Sequence, residues 1–165
     1  MQLSKILLAE IKQEAKATRK LLELVPFDKA EFKPHEKSMS LLRLATHVAE
    51  ISGWWKECLV QDELDFAKLD YTPKEYKSTA DLVALHDTLM TNAEKILNEV
   101  SEDEFSKPWT MRNGDMIYFT SPKSEVVRTW CMNHLYHHRA QLGVYLRLLN
   151  APLPGVYGPS ADAQG

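Results

Sequence analysis

Leu7, Ile11, Ala15, Thr18, Leu22 and Val25 recur at three- and four-residue steps, which predicts a first amphipathic helix over about residues 3–25, ended by Pro26. The following stretch to Lys37 is mostly polar and contains Pro34, so it reads as a crossing loop. Ser38 or Ser40 can cap a second helix that runs to about Val60 and carries Leu41, Leu44, His47, Ile51 and Trp54 on one face. Gln61 to Ser78 is acidic, contains Pro73 and keeps no period, which suits a long loop or short helical turns. A third helix, about residues 79–100, turns Leu82, Leu85, Leu89, Ala93, Ile96 and Val100 inward.

The segment Trp109 to Phe119 is the most strand-like of the chain, and Asn113-Gly114 between apolar flanks signals a hairpin. Ser121-Pro122 then offers an N-cap followed by proline at the first helical position. The fourth helix spans about residues 122–150, with Val127, Cys131, His134, His138, Leu142, Tyr145 and Leu149 in line. A Pro/Gly-rich tail spans residues 151–165, and its first part is expected to dock on the body through Leu153, Val156 and Tyr157. The expected fold is all-α: one domain over 1–165, a four-helix bundle with long crossover connections and a small β-hairpin insertion before the last helix.

Composition narrows the function classes. The 165 residues, 44% hydrophobic and 26% charged, suit a soluble globular domain. A net charge of −3 and the lack of a basic run argue against a nucleic-acid surface. No signal-peptide core and no long apolar run appear, so the expected location is cytoplasmic, with no membrane partner. Cys58 and Cys131 stand far apart without a CxxC, and both are expected to be reduced thiols.

Three of the six histidines fall within Asn133-His134-Leu135-Tyr136-His137-His138-Arg139-Ala140-Gln141. His134 and His138, four apart on one helix, project from the same face closely enough to share an ion. His47 lies on the apolar stripe of another helix, where an unpaired imidazole would be costly. Three neutral imidazoles on two helices suit zinc, nickel, iron or copper and leave a coordination position open. A histidine on an apolar stripe is equally well explained as a hydrogen-bonded core residue, and His134 with His137 is a competing chelating pair, so geometry alone leaves both questions open. Glu50 and Cys131 are candidates to support a ligand, His137 and Arg139 flank the pair, His86 reads as structural and His35 as a loop residue.

Four segments together carry a family resemblance. They are Lys33-Pro34-His35-Glu36-Lys37-Ser38-Met39-Ser40-Leu41 leading into Leu44-Ala45-Thr46-His47, the hairpin before Ser121-Pro122, His134-x-x-x-His138-Arg139-Ala140-Gln141, and Pro152-x-Pro154-Gly155-x-Tyr157-Gly158-Pro159-Ser160. In this order they resemble the DinB superfamily of DinB/YfiT-like metalloenzymes. Arg43 stands where similar proteins often carry Gly, and Ala140 replaces the Gly of the common His-Arg-Gly-Gln run.

The resemblance implies a bundle with rearranged helix order, often a homodimer, holding one divalent ion on His47, His134 and His138. Zinc, nickel, iron or manganese would fit such a centre. It further implies a thiol S-transferase that joins a low-molecular-weight thiol (bacillithiol, mycothiol or glutathione) to an electrophile. Metal-assisted hydrolysis and a non-catalytic stress-response metal protein are the alternatives. A di-iron carboxylate bundle is excluded on ligands, since no Glu-x-x-His motif occurs in the chain.

Overall fold

A computed structural model describes residues 2–69 and 74–162. The expected loop over 61–78 and tail over 151–165 extend onto residues 70–73, Pro73 among them, and 163–165, which lie outside the described residues. The molecule is mostly helical and carries a three-stranded sheet. Helix α1 is Leu3–Leu22 and buries Leu7, Ile11, Thr18 and Leu22 as the three- and four-residue spacing requires. Its backbone N–H groups at Leu3 and Ser4 donate to the Glu102 carboxylate, 2.7 and 3.0 Å away, which satisfies orphan donors at the helix start.

The second helix is broken. α2 spans Leu41–Ile51, with Ser40 Oγ accepting from the Arg43 N–H, and a separate α3 spans Trp54–Leu59. Ser52 and Gly53 make the joint, and a Cβ on Gly53 would meet a Leu89 methyl at 3.1 Å and the Glu50 carbonyl oxygen at 3.2 Å. Glycine there lets the chain turn against α4, Thr79–Glu99. The buried stripe of α4 is Leu82, His86, Met90, Ala93 and Leu97; Leu85, Leu89, Ile96 and Val100 are only partly buried, so the apolar face is rotated from the one expected.

The sheet has one strand more than the expected hairpin. β1, Glu63–Asp65, pairs in parallel with β2, Pro108–Asn113, and β2 pairs antiparallel with β3, Met116–Pro122. Asn113 pairs with Met116, so the two-residue turn is Gly114-Asp115, with Gly114 at φ +58°. Asp65 Oδ1 accepts from the Gly114 N–H at 2.9 Å and the Ala67 N–H at 3.0 Å, clipping the turn to β1.

Ser121-Pro122 ends β3 instead of opening a helix. α5 starts one residue later, Lys123–Val126, followed by a π-helical segment, Val127–Asn133, and by α6, His134–Leu148. Lys123 is fully buried; its ammonium donates to Asp62 Oδ1 at 2.8 Å and to the Leu59 carbonyl at 3.3 Å, and pairs with Glu104.

α1 packs on α4, and α2 packs on α6 and α4. The core divides into two clusters: one includes Leu7, Trp55, Trp109 and Met132, the other Leu22, Leu44, Leu135 and Leu142. The boundary between them crosses the start of α6. Among the described residues no helix is long and apolar enough to cross a membrane.

Candidate metal centre

His134 stands at that boundary. Met132 belongs to one core cluster and Leu135 to the other, so the ring of His134 emerges where the two separate. One turn further on, His138 shares its face, with ring centroids 4.5 Å apart. From α2, His47 approaches between Leu44 and Val48, which are fully buried and fix the helix against α6. The His47 ring lies 5.1 Å from His134 and 4.6 Å from His138, centroid to centroid. The three side chains offer ligand atoms that all lie within 4.8 Å of one another, and could hold a metal ion.

Two details suit a shared metal ion, although the first suits a hydrogen bond between the two rings equally well. Nε2 of His47 and Nε2 of His134 are 2.9 Å apart. Two nitrogens bound to one first-row ion at about 2.0–2.1 Å each stand about 2.9–3.4 Å apart, over angles from about 90° to tetrahedral. His138 Nδ1 lies 2.8 Å from Gln141 Oε1. The carboxamide oxygen can only accept, so Nδ1 carries the proton and Nε2 keeps its lone pair free for coordination.

The electrostatics agree. Burial depresses the His47 imidazole to about 4, helped by charge repulsion from His138, His134 and Arg43. His134 is likewise lowered to about 4 by burial and by His138 and His137. His138 is lowered mainly by burial, against the Gln141 hydrogen bond that raises it. All three rings are neutral at physiological pH, the protonation state a ligand needs.

The flanking candidates divide. Glu50 lines both clefts that reach His47, and burial raises its carboxyl. His137 is exposed, with its ring 4.8 Å from that of His138. Cys131 is a buried thiol, turned into the core against the Cys58 thiol, and burial pushes its pKa up. Arg139 anchors α6 to α1: its guanidinium pairs with Glu14 at 2.6 Å and donates to Tyr157 Oη at 2.6 Å. His86 is structural, between Ser52 Oγ at 3.0 Å and the Ala15 carbonyl at 3.3 Å.

Sequence reasoning missed three residues. Gln141 sits at i+3 from His138, a spacing that could have marked it as an orienting group. Trp54 and Trp130 pack on His134 with centroids 5.0 and 5.7 Å away, and no periodicity pointed to Trp130. Around the histidines lie two spaces. One, about 800 Å³, is bordered by Arg43, Thr46, Lys74 and Lys77; the other, about 710 Å³, is bordered by tryptophans.

Comparison with known proteins agrees with this architecture. No curated protein matches the chain. A crystal structure of a DinB-like protein from Bacillus subtilis superposes with a TM-score of 0.71 at 19% identity, covering 93% of this chain and 98% of the other. A DinB-like protein from Bacillus cereus gives 0.68 at 20% identity, covering 91% and 95%. At those identities the likeness concerns the fold. Residues 1–164 match the DinB family as a whole, and the chain is a member of that family.

Proposed function

We propose that this protein is a metal-dependent thiol S-transferase, built on a four-helix bundle and acting in the cytoplasm as a homodimer. The observation that carries the reading is the convergence of three neutral imidazoles from two helices, with ligand atoms within 4.8 Å of each other. When bound, a divalent ion (zinc, nickel, iron or manganese) would supply the positive charge that lowers the pKa of a thiol toward neutrality. His47, His134 and His138 would hold it, and Gln141 would keep His138 in its ligating tautomer.

The remaining work falls to the cleft. A carboxyl raised by burial, as Glu50 is, is better matched to accept a thiol proton than an ordinary surface glutamate. As the sulfur pair forms a bond to the electrophilic carbon, the leaving group departs with its own electron pair. Arg43, Lys74 and Lys77 border the larger cleft and suit the carboxylates that small cellular thiols carry.

Hydrolysis is the second reading, favoured by the same Glu50, which could equally take a proton from water. A non-catalytic metal-binding role in stress is the third. Elemental analysis of the purified chain is the first test. About one divalent ion per chain is expected, and the triple replacement of His47, His134 and His138 should abolish it. Equal metal in that variant would overturn the site. A panel of thiols and electrophiles then separates the readings: conjugation lost on chelation supports transfer, and inactivity at full metal occupancy refutes it. Light scattering checks the dimer.

A further inference from the structure

The two spaces that meet at His47 and Glu50 differ in chemistry. The larger one sets Arg43, Lys74 and Lys77 against Glu50 and Glu75. The smaller, about 710 Å³, is bounded by Trp54, Trp130, Trp109, Leu64, Met111 and Phe66, and its charged residues are Glu50 and Glu57. Among the described residues no lysine or arginine lines it. Its volume falls in the range of small-molecule sites, about 300–1,000 Å³.

The aromatic walls are held in place from behind. Trp130 stacks on Phe119 with an interplanar angle of 2° and centroids 6.0 Å apart. Trp54 lies 6.1 Å from Trp130 at 35°, and both indoles touch the His134 ring. Trp109 is 1% exposed, and its indole N–H donates to the Glu57 carbonyl at 2.9 Å, so it cannot swing away cheaply. Trp54 and Trp130 are only partly buried. Rigid aromatic surface left open to a cavity binds flat apolar groups with little loss of side-chain freedom. Each space carries two carboxylates, but only the larger one sets cations against them, so anions are disfavoured in the tryptophan-lined space.

We propose that this tryptophan-walled cavity seats the uncharged, flat apolar part of the electrophile, an aromatic or fused-ring group. Anionic groups of either substrate are confined to the cleft of Arg43, Lys74 and Lys77. Naming the occupant as the electrophile rests on the thiol-transfer reading; the preference for neutral aromatic ligands does not. The contacts of both indoles with His134 place such a group beside the histidines, where a sulfur nucleophile would meet it.

Calorimetric titration of the full chain with 2-naphthol and with 2-naphthoate tests this. Expected are one saturable naphthol site per chain, naphthoate binding at least tenfold weaker, and naphthol affinity falling at least tenfold in Trp130→Ala. No saturable naphthol binding, equal affinity for naphthoate, or an unchanged Trp130→Ala would each overturn it. If circular dichroism shows that Trp130→Ala does not fold, Leu64→Gln takes its place: the same loss is expected, and unchanged affinity overturns the proposal. The titrations require neither metal nor turnover. A chain that bound no ion or conjugated nothing would therefore leave them readable, and their failure would leave the metal analysis untouched.

Discussion

Gln141 holds His138: Oε1 of the amide lies 2.8 Å from Nδ1 of the ring, within one turn of α6. The bond spends the proton-bearing nitrogen of His138 on the protein and leaves the other for the cluster. A hydrogen-bonded partner of this kind typically contributes a factor of about 10–100 to metal affinity.

Gln141→Leu should accordingly weaken metal binding by about 10–100-fold, read by titration against a competing chelator, while the melting temperature of the metal-free protein changes little. Unchanged affinity would show that the amide does not orient the ring.

Acid should destabilise the metal-free protein in a defined window. His47 and His134 are depressed to about 4, and His86 is lowered chiefly by burial. The unfolded chain takes up protons below about 6.5, where the folded rings stay neutral, so the unfolded state binds more protons. The stability held in these groups should therefore be complete above about pH 6.5 and decline as pH falls, with the His47 and His134 share lost by about pH 4. Urea midpoints measured with chelator from about pH 7.5 to about 4 check the slope, and replacing His47 and His134 by Gln should flatten it.

The pair of Arg139 and Glu14 is buried on both sides, with side chains 4% and 7% exposed. Removing one charge strands the other, so Arg139→Met should cost about 3–5 kcal/mol in chemical denaturation. Adding Glu14→Leu should recover much of that loss. Tyr157→Phe, which removes the hydroxyl bridging the two, should cost about 1–2 kcal/mol.

Gly155 cannot accept a side chain, because a Cβ there would lie 2.1 Å from the Gly158 carbonyl oxygen. Gly155→Ala should displace the tail and break the Tyr157 contacts. Limited proteolysis should then cut within residues 151–162 faster than in the parent chain, with metal content unaltered.

Much of the site was legible because helical spacing is a direct projection of sequence into space. His134 and His138 had to share a face, and His47 had to emerge beside Leu44 and Val48. The family resemblance then chose among the possible chelating pairs. What escaped depended on partners distant in sequence or on departures from regular geometry. β1 is three residues long, too short to show a period, and exists because β2 supplies its pairing from far along the chain, Glu63 opposite Thr110. The joint at Ser52-Gly53 is invisible to a hydrophobic stripe that continues through Ile51 and Trp54. The wider turns of Val127–Asn133 shift the register ahead of His134, so the expected line through Cys131 does not lead to the metal site. Cys131 finds Cys58 instead.

The clasp among Glu14, Arg139 and Tyr157 also bears on the order in which the chain can fold. Its members are separated by 125 and 143 positions, among the longest loops the fold must close. Such contacts are entropically the last to repay their closure and add to a slow, non-local folding barrier. On the ribosome, α1 emerges with Glu14 on its apolar face, and its cationic partner follows only 125 residues later. Until then a carboxylate on that face disfavours premature burial of α1, which keeps the N-terminal helix available for its correct neighbours.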